Sequence, residues 1–185
     1  MRPGFGSPHP LLGPLLEDRR PLCVEIATWT IGQLELSTYA GEADLPDELV
    51  TSVRCVVTRG DQVLVCQEPD GRVMIFPGGR REPGETSQQT AVREVAEETG
   101  WDLDVGSLSV IGFLHFHHLS PVPADHPYPH PDFLQLVQHG TATGSPVDWV
   151  DPEGWVVRSW FADRALLDSQ PLSPSERHLL ALVLP

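Results

Sequence analysis

The chain has 185 residues, 40% of them apolar, which suffices for one domain with a buried core and a short appended element. Its formal net charge is −14 and all twelve basic residues are arginines; lysine and asparagine are absent, a pattern that matches coding bias in a GC-rich genome. This charge argues against broad electrostatic binding to nucleic acid, but not against a small anionic substrate that a bound divalent cation could attract.

In chain order, residues 1–20 read as a mobile tail: leucines 11, 12, 15 and 16 are interrupted by prolines and no long apolar run follows. Neither a signal peptide nor a membrane span is expected. Residues 22–39 are β-rich, with Val24, Ile26 and Trp29, then Ile31, Leu34 and Leu36, and Gly32 marks a turn between two strands. The acidic stretch Gly41 to Glu48, with Pro46, reads as a linker. Residues 1–49 are therefore set apart as a tail and β-rich extension, and residues 50–185 as the main domain.

Within the main domain, Val53 to Thr58 and Val63 to Gln67 predict two strands around Arg59-Gly60-Asp61. Asp70-Gly71 predicts a hairpin into a strand over Arg72 to Phe76, which Pro77-Gly78-Gly79 should break. A helix is expected from Ser87 to Thr99, ended by Gly100. Strands follow at 108–118, 132–139 and 155–161, then helices at 162–168 and 174–183. The fold class is α/β (α+β), with strands on both sides of one central helix. Cys23, Cys55 and Cys66 lack metal-type spacing; Cys55 and Cys66 lie in apolar runs and read as buried free thiols in a reducing cytoplasm.

The central helix concentrates the chemistry. Thr86 is a suitable N-cap, and Gln89 three residues on completes a capping box. At ~100° per residue, Glu94, Glu97 and Glu98 fall on one face, whereas Ala91, Val92, Val95 and Ala96 fall on the other and can pack on a sheet. Like charges at that spacing cost a few tenths of a kcal/mol each, which a hard cation would relieve, and carboxylates are the preferred ligands of Mg²⁺. A solvated acidic face would look the same, so the triplet alone does not decide.

The flanking residues do. Gly79, Glu85, Arg93, Glu94, Val95, Glu97, Glu98, Gly100 and Trp101 satisfy every fixed position of G-x5-E-x7-R-E-U-x-E-E-x-G-U, where U is bulky and apolar. Trp101 is a less usual choice at the last position, and Phe76-Pro77-Gly78-Gly79 resembles the strand-to-loop entry that often precedes this motif. The segment resembles the signature of the Nudix hydrolases. That resemblance implies a mixed sheet sandwiched between helices, and hydrolysis of a diphosphate linkage in a nucleoside diphosphate-X substrate by water attack on phosphorus. It also implies Mg²⁺ or Mn²⁺ held by Glu94, Glu97 and Glu98, with the Gly79 carbonyl as an added ligand. Arg93 and Glu85 would form an ion pair orienting the helix, and one glutamate or a loop residue would be the general base. The expected partner is a small nucleotide-type diphosphate, and a homodimer stays open.

Outside the motif, six histidines crowd between residues 115 and 139: His115, His117, His118, His126, His130 and His139. His115 and His117 should share one strand face and His118 take the other. A polar strand edge and a proline-rich loop explain them better than a second metal site, since no strong metal spacing is present. Asp132 is a candidate extra carboxylate. Tyr128 and Phe133 could stack on a base, although core for Phe133 and surface loop for Tyr128 are the simpler readings. Trp155 and Trp160 flank an apolar run and should pack. The proline that marks ADP-ribose hydrolases and the tyrosine that marks dinucleoside polyphosphate hydrolases would fall at His117 and Leu119, and neither is present. Two alternatives remain: a nucleotide sensor or interaction domain without turnover, which the intact motif disfavours, and an RNA 5′-end pyrophosphohydrolase, which the charge disfavours.

Overall fold

The computed structural model describes residues 8–29, 32–122, 126, 128–144, 146 and 149–184. The tail expectation for residues 1–7, the strand expectation at Ile31 and the loop expectation at Pro123 lie outside them. In chain order, a short helix α1 (Leu12–Leu16) precedes strands β1 (Cys23–Trp29) and β2 (Gly32–Ala40). Then come β3 (Val50–Arg59), β4 (Gln62–Gln67), β5 (Val73–Met74) and β6 (Gly78–Arg80). Helix α2 (Ser87–Thr99) leads to β7 (Asp102–Leu103), β8 (Ser109–His118) and β9 (Asp132–Thr143). Strand β10 (Arg158–Ala162), α3 (Arg164–Asp168) and α4 (Pro174–Val183) close the chain.

The strands form one mixed sheet in the order β1-β2-β8-β9-β3-β4-β10, with β5 on β4, β6 on β3 and β7 on β9. The β3–β9 pairing is parallel and the others are antiparallel. Alternation along β3 divides the core. Val56 faces the side where Val63, Phe116, Phe133 and Val137 meet Leu167 of α3 and Leu179 and Leu180 of α4. Val53, Cys55 and Val57 face the other side, where Ala91 and Val95 of α2 pack. Helices therefore cover both faces.

Several expectations shift, each for a local reason. Residues 8–20 are not a free tail: Leu12 is fully buried against Tyr39, Leu49, Phe113 and Leu134, and the His9 amide donates to Asp132 Oδ2 at 2.6 Å. The strand expected over Arg72 to Phe76 pairs only at Val73 and Met74, because the buried Ile75 amide turns away to donate to Glu176 Oε1 of α4 at 3.1 Å. Gly78 and Gly79, expected to break that strand, themselves pair with β3 opposite Arg54 and Val53. Gly78 has φ 141°, and a Cβ there would overlap the Val53 carbonyl, so only glycine lets β6 approach β3 this closely. Strand β10 begins later than expected because Asp151 organises the preceding loop, accepting from the Glu153 and Val156 amides at 2.8 Å each. Trp155 in that loop is 61% exposed rather than packed, whereas Trp160 packs against the main core.

Candidate functional site

Helix α2 forms as its sequence dictates. Thr86 Oγ1 accepts from the Gln89 amide at 3.2 Å and Gln89 Oε1 accepts from the Thr86 amide at 2.9 Å, closing the capping box. Ala91 and Val95 are buried on the sheet, which fixes the helix rotation and aims Glu94 and Glu98 at the β6 backbone.

The three glutamates do not share one solvated face. Glu98 is buried and its Oε2 accepts from the Gly78 amide at 2.7 Å. The Glu94 carboxylate lies against Gly79, so closely that a Cβ there would overlap it. Glu97 stays exposed. Burial under the sheet edge explains the division, since positions 94 and 98 lie one turn apart on the same row while 97 points outward.

Arg93 ties the group together. Its Nε and Nη2 donate to the two Glu85 carboxylate oxygens at 2.7 and 3.0 Å, a bidentate fork. Nη1 donates to Glu94 Oε1 and Glu97 Oε2, both at 2.9 Å, and Nη2 also reaches the Arg80 carbonyl at 2.9 Å. Glu85 further accepts from the Glu82 amide and Thr90 Oγ1, each at 2.9 Å. One guanidinium thus joins the loop, β6 and two helix carboxylates.

Electrostatics follow this wiring. Hydrogen bonds from Arg93, opposed by burial and helped by Glu82 and Thr90, hold the Glu85 carboxyl down at about 2. The bonds to Glu85 hold Arg93 above the usual arginine range. Burial pushes Glu98 up to about 7, against the pull of Arg54 and the Gly78 amide and with the repulsion of Glu94 and Asp151. Burial also raises Glu94 despite Arg93. Two carboxylates at β6 are thus short of positive charge.

Two contributors were not singled out from sequence. Arg54 donates to the Gly78 carbonyl and faces Glu98 and Glu94. An arginine inside an otherwise apolar strand was its only signal. Trp149 donates its indole N–H to the Glu97 carbonyl at 3.0 Å, over Gly100 at the helix end.

Gly79, Glu94 and Glu98 meet at one turn, joined to Glu97 and Glu85 through Arg93. Among the described residues, no three His, Cys, Asp or Glu side chains converge closely enough to clasp an ion. The donor set nevertheless fits a hard cation: all oxygen, with two carboxylates raised by burial beside a backbone turn that has no room for a side chain. Such an ion would take few protein ligands and complete its shell with water and substrate oxygens, the usual habit of Mg²⁺.

The histidines are arranged otherwise. His115 and His117 share a face as expected, and both donate to Asp132 Oδ1, at 2.7 and 2.8 Å. Burial alone would raise the fully buried Asp132, but His115, the His9 amide and His117 together hold it below the usual carboxylate range. Among the described residues Asp132 bonds to these groups and not to the helix glutamates, so it is no added carboxylate of that site. His118 is buried on the opposite face, 3.1 Å from His126; burial, then His126, His130 and His117, push it down to about 4. His139 meets Thr58 Oγ1 at 2.8 Å.

Comparison with known proteins identifies the family and the fold. The family model described as the NUDIX domain matches residues 48–183. A Bacillus subtilis protein provisionally named an 8-oxo-dGTP diphosphatase is 40% identical over 47 residues, 25% of this chain and 32% of that protein. A second Bacillus subtilis protein, the uncharacterized Nudix hydrolase YvcI, is 41% identical over 46 residues, 25% of this chain and 29% of its own. The chain thus spans about a third of the length of the curated relatives it matches. Among solved structures, the Bacillus subtilis pyrophosphohydrolase BsRppH superposes with a TM-score of 0.57 at 16% identity, covering 86% of this chain and 93% of that one. A NUDIX hydrolase from Nitrosomonas europaea gives 0.53 at 23% identity, covering 72% and 88%. At these identities the superpositions speak for the fold.

Proposed function

The chain belongs to the Nudix hydrolases, and from that premise we propose that it cleaves the diphosphate linkage of a nucleoside diphosphate-X substrate with the help of Mg²⁺ or Mn²⁺. The observation that carries this reading is the Arg93 fork, which gathers Glu85, Glu94, Glu97 and the Arg80 carbonyl while Glu98 docks on Gly78. Water adds to one phosphorus, the anhydride P–O bond breaks, and the bridging oxygen leaves on the second phosphate with the bond pair. A bound divalent ion would neutralise phosphate charge and acidify a water there.

The chain's own residues do the positioning. Glu94, Glu97, Glu98 and the Gly79 carbonyl would hold the ion. Glu85 and Arg93 fix those carboxylates, a role that commonly matters nearly as much as ligation. Arg54 offsets part of the negative charge of Glu94 and Glu98 at β6. The relative named for 8-oxo-dGTP supports a nucleotide substrate. The buried free Cys55 and Cys66 support a reducing, cytoplasmic setting, and no helix among the described residues is long and apolar enough to cross a membrane.

The test is a panel of nucleoside triphosphates, nucleotide sugars, dinucleotides and 5′-triphosphorylated RNA, with Mg²⁺ and with Mn²⁺. Metal-dependent release of phosphate or nucleotide is expected. Glu97→Gln and Glu98→Gln should each suppress it beyond the roughly 100-fold typical of outer ligand supports, with the fold retained. Full activity in both variants would overturn the carboxylate mechanism; cleavage of the RNA alone would move the substrate to that class.

A further inference from the structure

On the sheet face opposite α2, a row of flat groups runs toward the site. Phe116 and Phe133, register partners on β8 and β9, stack at 4.7 Å and 1°. Tyr128 stacks on Phe133 at 4.7 Å and 15°. The Arg80 guanidinium lies 4.7 Å over the Tyr128 ring. Arg80 belongs to β6, next to Gly79, and its carbonyl is held by Arg93, so the end of this row is tied to the carboxylate group.

Beside it runs a polar row. Ser52 is the register partner of both Arg80 and Gln135, and directly opposed residues share a sheet face. Gln135 lies two residues from Phe133, so it shares the ring row's face as well. Ser52 is 3% exposed, and its hydroxyl has no hydrogen-bond partner among the described residues. A buried polar atom left unpaired is costly, and a group that completes its hydrogen bonding gains accordingly. Arg80 is exposed and has no carboxylate partner among the described residues, and its guanidinium lies against the Tyr128 face.

We propose that the Tyr128–Arg80 slot seats the nucleobase of the substrate: Arg80 leaves the ring for a substrate phosphate, the base takes its place on Tyr128, and the base edge meets Ser52 Oγ and the Gln135 amide. The exchange conserves both kinds of contact. Tyr128 trades a guanidinium for a planar base, and Arg80 trades a weak contact with the ring face for a charged phosphate. Arg80 is one residue from Gly79, which places base and diphosphate at adjoining positions. This inference rests on the nucleotide hydrolase reading above.

The experiment compares, by calorimetry on the full chain with Mg²⁺, the affinity for ADP, GDP, CDP and UDP with that for inorganic pyrophosphate. At least one nucleoside diphosphate should bind more tightly than pyrophosphate. Tyr128→Leu should cut that advantage by about 5- to 150-fold, the range for one base stacked on an aromatic side chain, and Tyr128→Phe should keep it. Because Tyr128 also packs on Phe133, Ser52→Ala serves as a second variant that removes only an unpartnered hydroxyl; it should cut the advantage by about 2- to 12-fold. No advantage over pyrophosphate, or an advantage that survives both Tyr128→Leu and Ser52→Ala, overturns the slot. Metal-dependent hydrolysis that is indifferent to these variants leaves the hydrolase reading standing without the slot, whereas absence of any hydrolysis strikes the hydrolase reading itself.

Discussion

Among the described residues, the ionisable side chains around Arg93 and those around Asp132 treat charge in opposite ways. At α2, four glutamates gather around Arg93 and Arg54, and two of them, Glu94 and Glu98, are driven upward by burial. At the start of β9, Asp132 is fully buried yet held down by His115, His117 and the His9 amide. The second cluster is satisfied from within; the first retains acidic groups short of a cation. A cluster that closes on itself serves the fold, and one left electrostatically incomplete is where an outside ion has something to gain.

After the loss of Glu97 or Glu98 themselves, the largest effect should come from removing the hub of the first cluster. Arg93→Ala is expected to lower kcat by about 10- to 100-fold, as for other outer supports of ligands, and to weaken activation by Mg²⁺ in a metal titration. Unaltered metal response in that variant would mean that Glu94 and Glu97 hold their places without the fork.

The second cluster should respond in stability and not in turnover. Asp132→Asn leaves imidazole groups and the His9 amide with a poorer acceptor, costing about 1–3 kcal/mol in denaturant unfolding. Activity per folded molecule should match the parent. A loss of activity at full stability would join the two clusters functionally and erase the contrast.

Acid should separate Glu85 of the first cluster from His118, which lies on the opposite face of β8 from the second. His118 is held at about 4, below its ordinary 6.5, so the unfolded chain takes up a proton first. Stability from this neutral histidine is full above about 6.5 and lost as pH falls toward 4. Glu85, held at about 2 against an ordinary 4.5, contributes stability that is full above 4.5 and lost as pH falls through 2. Unfolding free energies at pH 7.5, 5.5 and 3.5 should therefore show His118→Phe flattening both steps and Glu85→Gln only the lower. Identical profiles for the two variants would contradict the assignment.

Much of the α2 site was legible because it is written in contiguous residues. A capped helix with carboxylates at fixed offsets and an arginine beside them needs only helical periodicity to be assembled on paper. What periodicity could not give was depth: Glu94, Glu97 and Glu98 share an arc, but only the approach of β6 decides that Glu98 is buried and Glu97 is not. Arg54 was missed because its partners arrive from a hairpin more than twenty residues on. The Asp132 network depends on strand register, His117 opposite Asp132, and on a segment near the N-terminus reading as tail. The ring row on β8 and β9 needs register too, since Phe116 and Phe133 meet only across the ladder. Helix and strand positions were largely readable; contacts between distant strands were not.

The Gly78-Gly79 step has a consequence for how this protein can drift. One glycine is hemmed in by the Val53 carbonyl and the other by the Glu94 carboxylate, so the smallest possible increment, a single methyl, collides on either side. In a saturation library selected for function, these two codons should return almost unchanged while exposed neighbours such as Glu82 and Pro83 scatter freely. The tightest constraint on the chain's evolution would then sit on two residues that have no side chain at all.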